Sequence, residues 1–306
     1  MRTLFVVRIG NLPYFLFILF LFGVTALSSY LCNRFGKKFA FRYISVILWA
    51  NFGLHFLKQL LPHFLAQFPY GLADSAFPNL CAVLIILAPF IFHFGNDYLK
   101  DYFYYIGLLS GVLVYLVPTG AMRTDLAQGD YYFETFRFYF CHWPLVVGSL
   151  LMVSQGFHKL NWKRLWAIPL MFCAILAIIA IDQIFFGPVM KLPGYPYEWV
   201  GEHGVLNRMN DSSVYSNQSK QFGPQPGVDA ILGWLYPALI PGLMTYYVGG
   251  EIYFTPVIWI MPFIYIGTAI LGPLMTLPFE RKAMRADILG LRQKMKMRAF
   301  HRREGR

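Results

Sequence analysis

The stretch PYFLFILFLFGVTALSSYLCNRFGKKFAFR, residues 13–42, sets the architecture of the whole chain. Its first part, 13–31, carries no charged residue. At 1.5 Å per residue such a run crosses ~30 Å of hydrocarbon as a helix. Residues 33–42 hold Arg34, Lys37, Lys38 and Arg42 and no acid. Cationic connections of this kind stay on the cytoplasmic side of a membrane. A second apolar run, 43–66, leads back across.

The rest of the 306 residues repeats the pattern. The chain is 57% hydrophobic and only 13% charged, where a soluble domain would be near ~25% charged. Further apolar runs lie at 76–95, 102–120, 135–156, 165–188 and 254–278. An eighth, 230–248, is interrupted by Pro237, Pro241 and Gly242. Only helices or closed barrels satisfy the backbone in lipid, and these runs are too long for barrel strands. The expected fold is all-α, a polytopic transmembrane bundle of about seven spans plus a re-entrant or interfacial segment at 230–248. The bundle covers 1–279. Its one long connection, 189–229, is rich in Pro, Gly, Asn, Ser and Tyr and is expected to face outward. No cleavable signal peptide is expected, because the first apolar run is long enough to span.

Charge sets the orientation. The connection 157–164 carries Lys159, Lys163 and Arg164 and no acid, and the tail 280–306 has a net charge of +7. The connections 67–75, 121–134 and 189–229 sum to −1, −2 and −1. The positive-inside rule then gives a plasma-membrane protein with its N-terminus out and its C-terminus cytoplasmic. In the tail, Met284, Ile288, Leu291 and Met295 recur at helical spacing between cations. That pattern predicts a basic amphipathic helix on anionic inner-leaflet lipids. The overall charge of +11 is therefore no nucleic-acid signal.

Four cysteines, Cys32, Cys81, Cys141 and Cys173, lie in or beside apolar runs without metal-ligand spacing. Neither a metal site nor a cofactor is expected. The polar residues fall in one layer. Cys81 is expected ~7 Å below the outer end of its helix, His142 ~12 Å down and Asp182 ~9 Å down. His63 and Arg137 sit near the same end, and Asn79 lies just before Cys81. Ionisable groups at such depth face a bundle interior or a cavity. Close to a helix N-terminus, Cys81 is placed for thiolate chemistry. His142 is the candidate base, Asp182 its orienting acid, and Arg137 a phosphate anchor. Asn79 is a candidate donor to an oxyanion, and His63 a further substrate contact. Each has a plainer reading as packing or pairing. His55, Lys58 and His93 are read that way, and Cys141 is set aside because it points ~100° from His142. The Asn210 and Asn217 sequons would fall in the outward connection.

The segments FPNLCAVLIILAPF (77–90), FYYIGLLSGVLVYLVP (103–118), ETFRFYFCHWPLVVGSLLMV (134–153) and GVDAILGWLYP (227–237) resemble the bacterial YwaF-type integral membrane family. That family is similar, at a distance, to animal membrane acyltransferases that move fatty acyl chains between glycerophospholipids. The resemblance implies acyl transfer by a Cys–His pair at Cys81 and His142. The substrates would be membrane lipids: a phospholipid acyl donor and a lysolipid acceptor. Asn79 departs from it, since many members carry His there. The competing reading is a membrane transporter or solute-binding protein with no covalent step, using the same polar layer.

Overall fold

The computed structural model describes residues 6–60, 65, 77, 79–118, 121, 128–184, 190, 239–248, 251–255 and 257–304. His63, Pro78, most of the connection 189–229 and the first part of 230–248 lie outside the described residues. Helix α1 spans Leu12–Leu57 and ends in a 3₁₀ turn, Lys58–Leu60. It is followed by α2 (Leu80–Phe94) and α3 (Asp97–Tyr102). A π-helical turn, Phe103–Gly107, joins α3 to α4 (Leu108–Leu116). Then come α5 (Gln128–Ser154), α6 (Ala167–Ile184), the strands β1 (Thr245–Val248) and β2 (Glu251–Phe254), and α7 (Met261–Glu304).

Asparagines start several of these elements. The side chains of Asn11, Asn79 and Asn96 accept the amides of Tyr14, Ala82 and Leu99 at 3.1, 3.0 and 3.0 Å. Each thereby satisfies one of the amides that a helix start leaves without an intrahelical partner.

The basic segment 33–42 is not a loop. It is helical apart from Gly36, at φ 81° and ψ −179°, a conformation open to glycine alone. There α1 folds back on itself. Ser28 and Tyr43 would stand ~22 Å apart along a straight helix, yet their hydroxyl oxygens are 2.7 Å apart. The Ser28 proton goes to the Val24 carbonyl, 2.6 Å away, so Tyr43 donates to Ser28. The two arms, 12–35 and 37–57, are therefore antiparallel, as the charge pattern requires.

Among the described residues three helices are long and apolar enough to cross a membrane: Leu12–Leu60, Tyr131–Ser154 and Met261–Gly290. Two shorter apolar helices, Leu80–Phe94 and Ala167–Ile179, accompany them. That is fewer than the seven spans expected, because the first holds two arms and two others are short. With the rod formed by α3, the π turn and α4, the described helices make seven rods.

The all-α expectation needs one correction. Part of 230–248 forms β1, which pairs antiparallel with β2 so that Val248 faces Glu251. The sequence TYYVGGEIYF explains it: β-branched and aromatic residues flank Gly249 and Gly250, the composition of a two-residue hairpin loop. Pro241 and Gly242 stop a helix from entering. The last long helix consequently begins at Met261, not 254.

One end of the bundle gathers every basic segment. Gln155 donates to Asn33 at 2.7 Å, and Lys37 to the Gly156 carbonyl at 3.2 Å. Lys163 and the Trp162 indole N–H reach Asp287 of α7 at 2.7 and 3.0 Å. The tail start and the two basic connections thus share one end, called the basic end below. Helix α7 breaks at Glu280, two residues after Pro278, which marks where the apolar part gives way to the charged tail. The Lys163 ammonium and the Trp162 N–H hold the Asp287 carboxyl below its ordinary value of 3.8. A depressed carboxyl contributes fully above its unfolded value and loses that contribution as pH falls through the lower folded one. The tail contact should be unchanged between about pH 5 and 8, and protease cleavage near Glu280 should rise only below the carboxylate range.

Helix α4 crosses α5 at very close range. A Cβ on Gly111 would lie 2.5 Å from Val146 Cγ2 and 3.4 Å from the His142 carbonyl. Gly111→Val should force the two helices apart and destabilise the protein by about 1–3 kcal/mol, read by thermal unfolding in detergent.

Candidate active site

Measured from the basic end, the polar layer comes into register. Cys81 lies ~20 Å from the basic end of α2, His142 ~18 Å from that of α5 and Asp182 ~22 Å from that of α6, by helical rise. The depths from the opposite end differ from expectation, since α2 starts later and α5 earlier than the apolar runs suggested. With Asn79 as cap, Cys81 is the second residue of α2. Its backbone amide is thus among those without an intrahelical acceptor, and the positive end of the helix dipole falls on its side chain.

His142 is buried. Its Nδ1 contacts the Phe138 carbonyl four residues back and lies 3.3 Å from the Cys141 sulfur. A carbonyl only accepts, so Nδ1 carries the proton and donates to it. The Cys141 thiol donates to the same carbonyl at 3.3 Å. The neutral ring therefore keeps its lone pair on Nε2. Cys81, on the neighbouring helix α2, interacts electrostatically with the His142 ring, whereas the thiol at hydrogen-bond distance from that ring is that of Cys141. Both thiols are partly exposed, whereas the imidazole is buried. Asn51, in the second arm of α1, donates to the Cys141 carbonyl at 2.9 Å and ties that arm to α5 at this level.

The structure thus places Cys81 and His142 at a similar level on two neighbouring helices. It gives the ring an orienting acceptor in the Phe138 carbonyl, the position sequence reading had offered to Asp182. Asp182 is buried in α6. Arg137 makes a forked ion pair with Glu134 one turn back, its Nε 3.1 Å from both carboxylate oxygens. The Asn79 side-chain oxygen caps α2, accepting the Ala82 amide. Among the described residues no group of three His, Cys, Asp or Glu is placed to hold a metal ion.

Two members of the site escape sequence reading, Asn51 and the Phe138 carbonyl, and Cys141 reads there only as a weaker candidate. Adjacent helical residues diverge by ~100° at Cβ, but helical side chains lean back toward the N-terminus. That lean brings Cys141 and His142 onto one carbonyl.

No curated protein and no solved structure matches the chain. One family model does, over residues 8–190, more than half of the chain. The matched stretch holds the folded-back α1, the helices α2 to α6 and every residue of the Cys81–His142 layer. This chain is an integral membrane protein that belongs to the TMEM164 family.

Proposed function

We propose that the protein is a membrane-embedded acyltransferase, with Cys81 as nucleophile and His142 as general base. One observation carries the reading. The proton on His142 Nδ1 is held by the Phe138 carbonyl, which leaves Nε2 as the free base, and the Cys81 thiol at the mouth of α2 interacts with the same ring. The resemblance read from the sequence segments 77–90, 103–118 and 134–153 to YwaF-type proteins is consistent with this reading.

In this reading Nε2 takes the Cys81 proton and the thiolate attacks the ester carbonyl of a phospholipid. The tetrahedral intermediate collapses by breaking the carbon–oxygen bond. The imidazolium returns the proton to the departing glycerol oxygen, leaving a lysolipid and an acyl-Cys81 thioester. A hydroxyl of the acceptor lysolipid then gives its proton to Nε2 and attacks the thioester, and Cys81 departs and is reprotonated. Each proton taken is returned, so no oxidant or cofactor is needed. The Asn79 amide serves the oxyanion. Arg137 exchanges part of its Glu134 pairing for the lipid phosphate. Asp182 balances charge in the layer, and His63 contacts substrate. The basic end faces the cytoplasm, with the N-terminus outside and the amphipathic tail on anionic lipid.

The experiment is acyl transfer by purified protein from a labelled phospholipid to a lysophospholipid. Cys141→Ala should retain activity within about three-fold, because Cys141 contacts the protonated nitrogen and not the basic one. Loss of transfer in Cys141→Ala with retention in Cys81→Ala would reverse the assignment. Solute flux across vesicles without any transfer would favour the transporter reading.

A further inference from the structure

The basic end carries two clefts of opposite character. One, of about 330 Å³, is lined by Lys159, Lys163 and Arg164 together with Asp97, Glu280 and Asp287, so its charges balance. The other, of about 480 Å³, is lined by Lys37, Lys38, Arg42, Phe41 and Phe157, three cations and two rings with no acid.

The second groove is built in detail. Gly36 ends the first arm of α1, so Lys37 and Lys38 occupy the first turn of the second arm. The positive end of that arm's dipole adds to their charge. The Lys37 ammonium is held by the Gly156 carbonyl at 3.2 Å and stands 5.2 Å above the Phe157 ring. Phe41 packs on Phe157 at 5.8 Å between centroids and gives the groove an apolar floor. Lys38 and Arg42 are exposed, and no carboxylate among the described residues pairs with either. A fixed cation, two free cations and a helix N-terminus above aromatic rings suit a phosphate joined to an apolar body.

We propose that this groove binds the headgroup phosphate of an anionic phospholipid in the leaflet at the basic end. The site is separate from the Cys81–His142 layer and independent of the acyl-transfer reading. It holds the lipid as a bound component, not as a substrate.

The test is native mass spectrometry of the full chain, purified in neutral detergent, with equal amounts of phosphatidylglycerol and phosphatidylcholine. Wild type should retain phosphatidylglycerol preferentially. Lys38→Gln with Arg42→Gln removes only side chains that pair with no carboxylate here, so the fold should survive. It should reduce phosphatidylglycerol retention roughly 25-fold, about five-fold per cation, and leave phosphatidylcholine unchanged. A tail variant, Arg281→Gln, Lys282→Gln and Arg285→Gln, should retain the preference. Unchanged phosphatidylglycerol retention in the groove variant would overturn the proposal. So would loss of the preference in the tail variant alone. Inorganic phosphate bound by wild type without any lipid preference would identify a free-anion site instead.

Discussion

Replacing Cys81 by Ser should reduce acyl transfer by about 10³-fold or more, since the reaction then lacks its covalent carrier. The hydroxyl occupies the same place at the second residue of α2 and next to the His142 ring. It fits without strain, so thermal stability should hardly change. The hydroxyl is simply far harder to deprotonate than a thiol, even beside a helix N-terminus and an imidazole. A drop in turnover with unchanged melting separates loss of chemistry from loss of fold. His142→Gln is the matching control, with a loss of about 10²–10⁴-fold for a general base.

The second large effect is on stability and lies at the basic end. Asp101 is buried beneath His158 and Arg164. The His158 ring nitrogen lies 2.7 Å from its carboxylate, and Arg164 reaches both of its oxygens. Arg164 also binds Asp97 at 2.8 Å and the Lys159 carbonyl at 2.9 Å. Asp101→Ala leaves a guanidinium and a buried imidazole without their shared acceptor. Removing one partner of such a buried set costs about 3–5 kcal/mol. Detergent-solubilised Asp101→Ala should melt well below wild type and be cleaved between residues 155 and 165. Asp287→Ala, which removes an exposed pair with Lys163, should have a much smaller effect. Equal melting of the two variants would mean that the network is solvated and contributes little.

Much of the architecture is legible in the sequence because lipid imposes simple rules. Apolar length and cation placement locate most helices, and they bring the tail to the same end as 33–42 and 157–164. Contacts as local as Lys163 with Asp287 agree with that parity. The details that escape are those where two local rules compete. The segment around Gly36 reads as a loop by charge, yet it is helical up to one residue with positive φ. The hairpin at 245–254 reads as apolar span by hydropathy, although Gly249–Gly250 between β-formers is a turn signal. In the site, Cys81 and His142 stand out by residue type and depth. Asp101, His158 and Arg164 do not, because nothing in one sequence says that a carboxylate is shared by residues 57 and 63 positions away from it. The orienting acceptor of His142 is a main-chain carbonyl, which leaves no mark in sequence at all.

The covalent step is the central claim, and it has a direct measurement. Purified protein is incubated with a phospholipid carrying a labelled acyl chain, quenched in acid, digested and mapped by mass spectrometry. The account predicts a hydroxylamine-labile acyl adduct on the peptide containing Cys81, absent from Cys81→Ser and accumulating when acceptor lysolipid is withheld. Acyl transfer without any adduct, or an adduct confined to Cys141, would contradict it.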